Sequence, residues 1–201
     1  MKTILRIILA SVLITATSCD KEELAYQDEY EKSYKAWLDF KKESNNSYAY
    51  TMLRYHDELI STLTTITVES GTVIGREFRY HFIGNVAMPE GGWDKQTAID
   101  AFKSFGYSVE WYSQENLLDQ LQWTENREEI GTHQYGGIWT LDEVYKLAKN
   151  NWFVKRKNAE TYFRADNNGM ISSCGYVENG CYHEGCSESF IRIVSIEKLS
   201  D

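Results

Sequence analysis

Three thiols and an imidazole fall close together near the end of the chain, at Cys174, Cys181, His183 and Cys186. Thiolates and a neutral imidazole are the donor set of a tetrahedral zinc site. The intervals between them, six residues, then one, then two, lack the paired C-x2-C knuckles that mark such sites. In an oxidising compartment the thiols pair instead. The expectation is one structural disulfide among Cys174, Cys181 and Cys186, stapling a glycine-containing loop and leaving one thiol over, with a Cys174, Cys181, His183, Cys186 metal site as the alternative. A thiol enzyme built on Cys181 and His183 is a third reading. Two residues apart on a strand, they share a face, but only Glu184 stands near to orient the imidazole.

The remaining polar candidates carry less. His56, His81 and His133 are scattered among aromatic residues and read as surface or hydrogen-bonded core side chains. Asp166-Asn167-Asn168-Gly169 lacks the frame and distal glutamate of a calcium loop and reads as a hairpin turn. No G-x-S-x-G, H-E-x-x-H, P-loop or G-x-G-x-x-G is present, so the expectation is a non-enzyme without a cofactor. Aromatic residues crowd the middle third. Trp93, Trp111, Tyr112, Trp123, Tyr135 and Trp139 suit a partner-binding surface or a core, because Tyr and Trp tolerate partial exposure. The acidic stretch from Glu125 through Glu128 and Glu129 to Gly131, with Gly136-Gly137 behind it, reads as an exposed, mobile connection.

The first residues read as an address. Lys2 and Arg6 precede an apolar run, Ile7 to Ala16, too short to span a bilayer stably and placed like the hydrophobic region of a secretory signal. Ala16-Thr17-Ser18-Cys19 then resembles the lipobox of bacterial lipoproteins. The resemblance implies removal of residues 1–18, acylation of Cys19 with palmitate-type chains, and a membrane anchor. Two or three chains hold where one is reversible, at about 0.8 kcal/mol per buried methylene. Asp20-Lys21-Glu22-Glu23 is similar to the acidic tether that sends some lipoproteins to the outer face of the outer membrane. The expected organisation is a signal peptide over 1–18, a lipidated tether over 19–26 and a single domain over 27–201.

Composition narrows the partners. Cleavage removes two of the 21 basic residues and none of the 30 acidic ones, taking the formal charge from −9 to −11. Such a surface repels phosphate backbones, which excludes nucleic acid as a partner. An aromatic content of 14% and a single proline argue for a folded domain.

Periodicity supplies the elements. Tyr26, Tyr30, Tyr34, Trp37 and Leu38 recur at steps of three and four, predicting a helix with an aromatic stripe that Ser44-Asn45-Asn46 stops. The period then falls to two through Tyr48 to Leu53, Ile60 to Val68 and Val73 to Phe82, with a glycine turn at 69–72, giving an antiparallel meander. Asp94 caps a short helix ending at Gly106, and Ser113 caps another carrying Leu117, Leu118 and Leu121. Thr140-Leu141-Asp142-Glu143 is a capping box opening a helix that Asn150-Asn151 ends. Ala159 to Ala165, Met170 to Val177 and Phe190 to Ile196 complete the strands. The fold class is α+β, an antiparallel sheet with helices packed on one face.

Trp37, Ser47-Tyr48-Ala49-Tyr50-Thr51 and Thr140-Leu141-Asp142-Glu143-Val144-Tyr145 resemble a family of small secreted bacterial lipoproteins with a Trp-bearing helix and a Ser-Tyr-x-Tyr-Thr strand. The resemblance covers most of residues 26–166 and implies fold and export, with no activity attached. The expected function is a lipid-anchored, non-catalytic binding or accessory domain of the cell envelope, located at the outer membrane. Its partner is an envelope protein or glycan bound through 84–139. The alternative is an inhibitor of a secreted hydrolase, using Glu125, Glu128 and Glu129 to occupy a basic cleft.

Overall fold

The computed structural model describes residues 24–56, 58–106, 116–180 and 189–199. Cys19, Trp111, Tyr112, Ser113, Cys181, His183 and Cys186 lie outside the described residues. Within them the chain is α+β, as its periodicities require. Helix α1 (Gln27–Glu43) leads into β1 (Tyr48–Tyr55), β2 (Ile60–Glu69) and β3 (Thr72–Ile83). Short β4 (Val86–Ala87), α2 (Lys95–Ser104), α3 (Leu117–Leu121) and β5 (Gln122–Glu125) follow. Helix α4 (Leu141–Leu147) continues into a π-helical turn, Ala148–Trp152, before β6 (Ala159–Arg164), β7 (Ser173–Glu178) and β8 (Ser189–Lys198). The strands form one antiparallel sheet in the order β4-β3-β2-β1-β8-β7-β6, and β5 also pairs with β3. Among the described residues no helix is long and apolar enough to cross a membrane.

Strand alternation separates two faces. Tyr48, Tyr50 and Met52 lie opposite Val68, Ile66 and Thr64, and α1 and α4 cover much of this face to make the main core. The other face carries Thr51, Leu53, Thr65, Glu77 and Arg79, which are half-buried or exposed. A bulge between β1 and β8 pairs Tyr50 with Ile196 but Met52 with Ile193. Three residues apart, those isoleucines would fall on opposite faces of a regular strand; the bulge turns both toward the main core. The β2–β3 hairpin closes on Ser70 and Gly71, both left-handed, as a two-residue turn matched to strand twist requires. A second, smaller core forms where α2 and α3 meet the end of β3, around Ile83, Trp93, Ala98, Ala101, Leu117 and Leu121. Asp94 caps α2 as expected, accepting from the amides of Gln96 and Thr97. The N-cap of α3 is Asn116.

The aromatic stripe of α1 is narrower than its spacing predicts. Tyr30, Ser33 and Trp37 are buried, whereas Tyr34 and Leu38 stand one step round the helix, 37% and 43% exposed. Ser33 takes the central inward place because its hydroxyl lies 2.8 Å from the Tyr145 hydroxyl. Tyr26 sits outside the helix in a left-handed N-cap conformation. Asn150-Asn151 does not end the helical run that follows α4 but lies inside the π turn. The helical run continues into this π turn, closed by the Phe153 amide on the Ala148 carbonyl, and Trp152 and Phe153 at its end are both buried.

The motifs that carry the lipoprotein-family resemblance meet at the start of α4. The Tyr48 hydroxyl accepts from the Leu141 amide at 2.8 Å, and Tyr50 donates to the Trp139 carbonyl. Trp37 Nε1 donates to Asp142 at 2.9 Å. Thr140 and Glu143 form the expected capping box. The amides of Thr140, Leu141 and Glu143 are thereby satisfied by the strand beneath and by the box itself.

Candidate ligand-binding cleft

β3 places Arg76 on the same face as Phe78, and β5 places Glu125 directly opposite Arg76. Both side chains are buried, 2% and 0% exposed. Arg76 Nε and Nη2 donate to the two Glu125 oxygens at 2.9 and 2.7 Å, and its remaining N–H groups reach the carbonyls of His133, Tyr135 and Gly136. All five guanidinium donors have acceptors. Glu125 also accepts from the amides of Gly131 and His133, the Thr132 hydroxyl and His133 Nδ1. Burial opposes ionisation of this carboxyl, but Arg76 and the converging amides outweigh it and hold Glu125 well below the usual carboxylate range.

The expectation of an exposed connection holds for residues 126–129 and 131–136, but its mobility is corrected: Glu125 is internal, and with Arg76 it ties the backbone of 131–136 to the sheet. Glu125 is thus unavailable to a basic cleft on another protein, while Glu128 and Glu129 remain exposed. Rings reinforce the clamp. Phe78, Trp123 and His133 stack in series with centroids 5.0 and 4.1 Å apart, and the Arg76 guanidinium lies 4.7 Å from the Trp123 ring. Gly136 approaches β2 so closely, with φ of +80°, that a Cβ there would sit 2.9 Å from the Thr64 hydroxyl. At Gly137 a Cβ would come within 2.6 Å of the Trp139 ring, which folds back over this backbone.

Pinned in this way, residues 134–139 form one wall of a cleft of about 520 Å³ over the part of the sheet that α1 and α4 leave uncovered. The floor is Met52, Thr62, Thr64, Phe78 and Ile191, with Arg54 and His56 at the end of β1. The opposite wall is Leu147, Asn151 and Trp152, where the π turn ends. His56 Nε2 and the Thr62 hydroxyl are 3.1 Å apart. Tyr135 and Trp139 are 68% and 39% exposed at the mouth. Volume and lining are those of sites for small organic ligands, mostly apolar with a few polar groups.

The sequence candidates divide sharply. Trp139 and Tyr135 border the cleft; Trp123 backs it through its stack with Phe78. Trp93 does not face a partner: it is 4% exposed in the second core, its indole donating to the Tyr80 carbonyl at 2.7 Å. Cys174 is a free thiol on β7, buried in the main core, and burial pushes its pKa up, which disfavours the thiolate that ligation or nucleophilic attack needs. Among the described residues no three His, Cys, Asp or Glu side chains could hold a metal ion. Sequence reasoning did not single out Arg76, Arg54 or Thr64. A charged residue at the inward parity of β3 is a legible signal, because buried guanidinium demands a carboxylate.

Comparison with known proteins returned no matching family model, no similar curated protein and no similar solved structure.

Proposed function

We propose that this chain is a lipid-anchored, non-catalytic binding domain of the bacterial cell envelope, fastened to the outer membrane through Cys19 and receiving its partner at the cleft beside residues 134–139. The observation that supports binding is the cleft itself: about 520 Å³, mainly apolar, with Tyr135 and Trp139 exposed at its mouth and one wall fixed by a buried ion pair. Aromatic side chains at a concave site give contact area at low entropic cost, which suits an envelope protein or glycan partner. The burial of Glu125 removes one of the three acids of the inhibitor alternative.

Two measurements test this reading. Mass spectrometry of membrane-extracted protein is expected to show cleavage before Cys19 and an acylated amino terminus, and Cys19→Ser to release the chain from membranes. Affinity capture from intact envelopes is expected to recover a partner with the native chain and to lose it with Tyr135→Ala/Trp139→Ala. Equal recovery by both would count against the cleft.

A further inference from the structure

The charges around the cleft run against those of the chain. The chain as a whole carries −9, yet no described residue bordering the cleft is a carboxylate. Three of them, Arg54, His56 and Arg192, can carry positive charge. Arg192 lies over the Tyr55 ring at 5.4 Å. Arg54 differs from Arg76 in one respect that matters to a ligand. Arg76 has every donor engaged, whereas among the described residues no hydrogen bond or ion pair holds the Arg54 guanidinium, exposed on the same face as Met52. A guanidinium in a fork geometry beside an apolar floor is suited to a carboxylate or sulfonate on a flat apolar body.

Resting on the binding reading above, we infer that the group of the partner that the cleft receives is an aromatic organic anion. Its ring system lies between Trp139 and the Met52–Phe78 floor, and its anionic group reaches Arg54. Preference over neutral analogues follows from the charge-assisted hydrogen bonds that only an anion makes to Arg54, and discrimination against cations from the nearby positive charge.

The probes are 2-naphthoate and its uncharged counterpart 2-naphthamide, titrated by calorimetry into the full lipidated chain in phosphatidylcholine nanodiscs, with empty discs subtracted. Naphthoate is expected to bind about fivefold more tightly than naphthamide at low salt, with the preference shrinking as salt is raised. Arg54→Gln is expected to abolish the preference, so that the two probes bind alike, and Arg54→Lys to restore part of it. Trp139→Ala is expected to weaken both probes. A thermal midpoint unchanged in Arg54→Gln separates loss of charge from loss of fold. Equal affinity of the two probes for the native chain would overturn the anion preference and leave the binding cleft standing. Millimolar concentrations of both without any heat of binding would overturn the two together.

Discussion

Glu125 receives six hydrogen bonds, two from Arg76 and the rest from residues 131–133, in a site without solvent contact. Removing one partner of such a pair leaves the other charge buried alone, so Glu125→Ala is expected to cost about 3–5 kcal/mol in denaturant unfolding. Its pH dependence has a definite sign. The folded carboxyl binds its proton less tightly than the ordinary value of 4.5, so below that pH the unfolded chain protonates first. Its contribution is complete above about 4.5 and fades as pH falls toward the folded value; Glu125→Gln is expected to flatten that acid limb. Tyr145 is a second such point: its hydroxyl accepts from the Ile171 amide at 3.1 Å and donates to the Ser33 carbonyl at 3.0 Å. Tyr145→Phe strands a buried N–H and is expected to cost about 1–3 kcal/mol by the same measurement. Cys174 gives a chemical readout, since its thiol is expected to resist alkylation in the native chain and to react on unfolding.

At the scale of elements, the β2–β3 turn holds Ser70 at φ 49°, a left-handed conformation that asparagine adopts more readily than serine. Ser70→Asn is expected to raise stability by about 0.5 kcal/mol, whereas Gly136→Ala, left-handed and against Thr64, is expected to lower it and to disturb the cleft wall. The elements legible in the sequence were those with a sustained period. The meander, the capped start of α4 and the hairpin at 166–169 stand where period and turn residues place them. β5 escaped because four residues, Gln-Trp-Thr-Glu, carry too little alternation to register, and so Glu125 was grouped with the exposed acids that follow it. Tyr34 and Leu38 share the spacing of the buried stripe but not its centre, which the Ser33 to Tyr145 contact fixes. The end of the α4 helical run differs for another reason: asparagines that commonly end a helix here occupy a π turn, and the buried Trp152 and Phe153 follow them. The cleft itself was not legible, because its lining comes from six separate segments that only the folded sheet assembles.

The whole molecule is bracketed by ionisation at both ends of the pH scale. Burial, helped by neighbouring tyrosines and the thiol, raises Tyr30 to about 12. Tyr145 also reaches about 12, burial outweighing its hydrogen bonds. Tyr48 and Tyr50 are pushed higher still, chiefly by burial. In each case the folded hydroxyl keeps its proton above the ordinary 10.0, so the unfolded chain ionises first and stability is lost as pH rises beyond that value. Thermal midpoints measured across pH are expected to form a plateau from about 5 to 9, with the alkaline limb set by these tyrosines and the acid limb by Glu125. The same hub of Tyr30, Tyr145, Trp37 and Tyr48 ties α1 to α4 and the sheet, while Arg76 ties the loop to β3. A loop fastened at its backbone by a buried carboxylate opens only when that carboxylate is released. The amides of Gly131 and His133 are therefore expected to exchange with deuterium as slowly as those of β3, and proteases to spare 131–137 despite its glycines, so a visiting molecule meets a wall already in place.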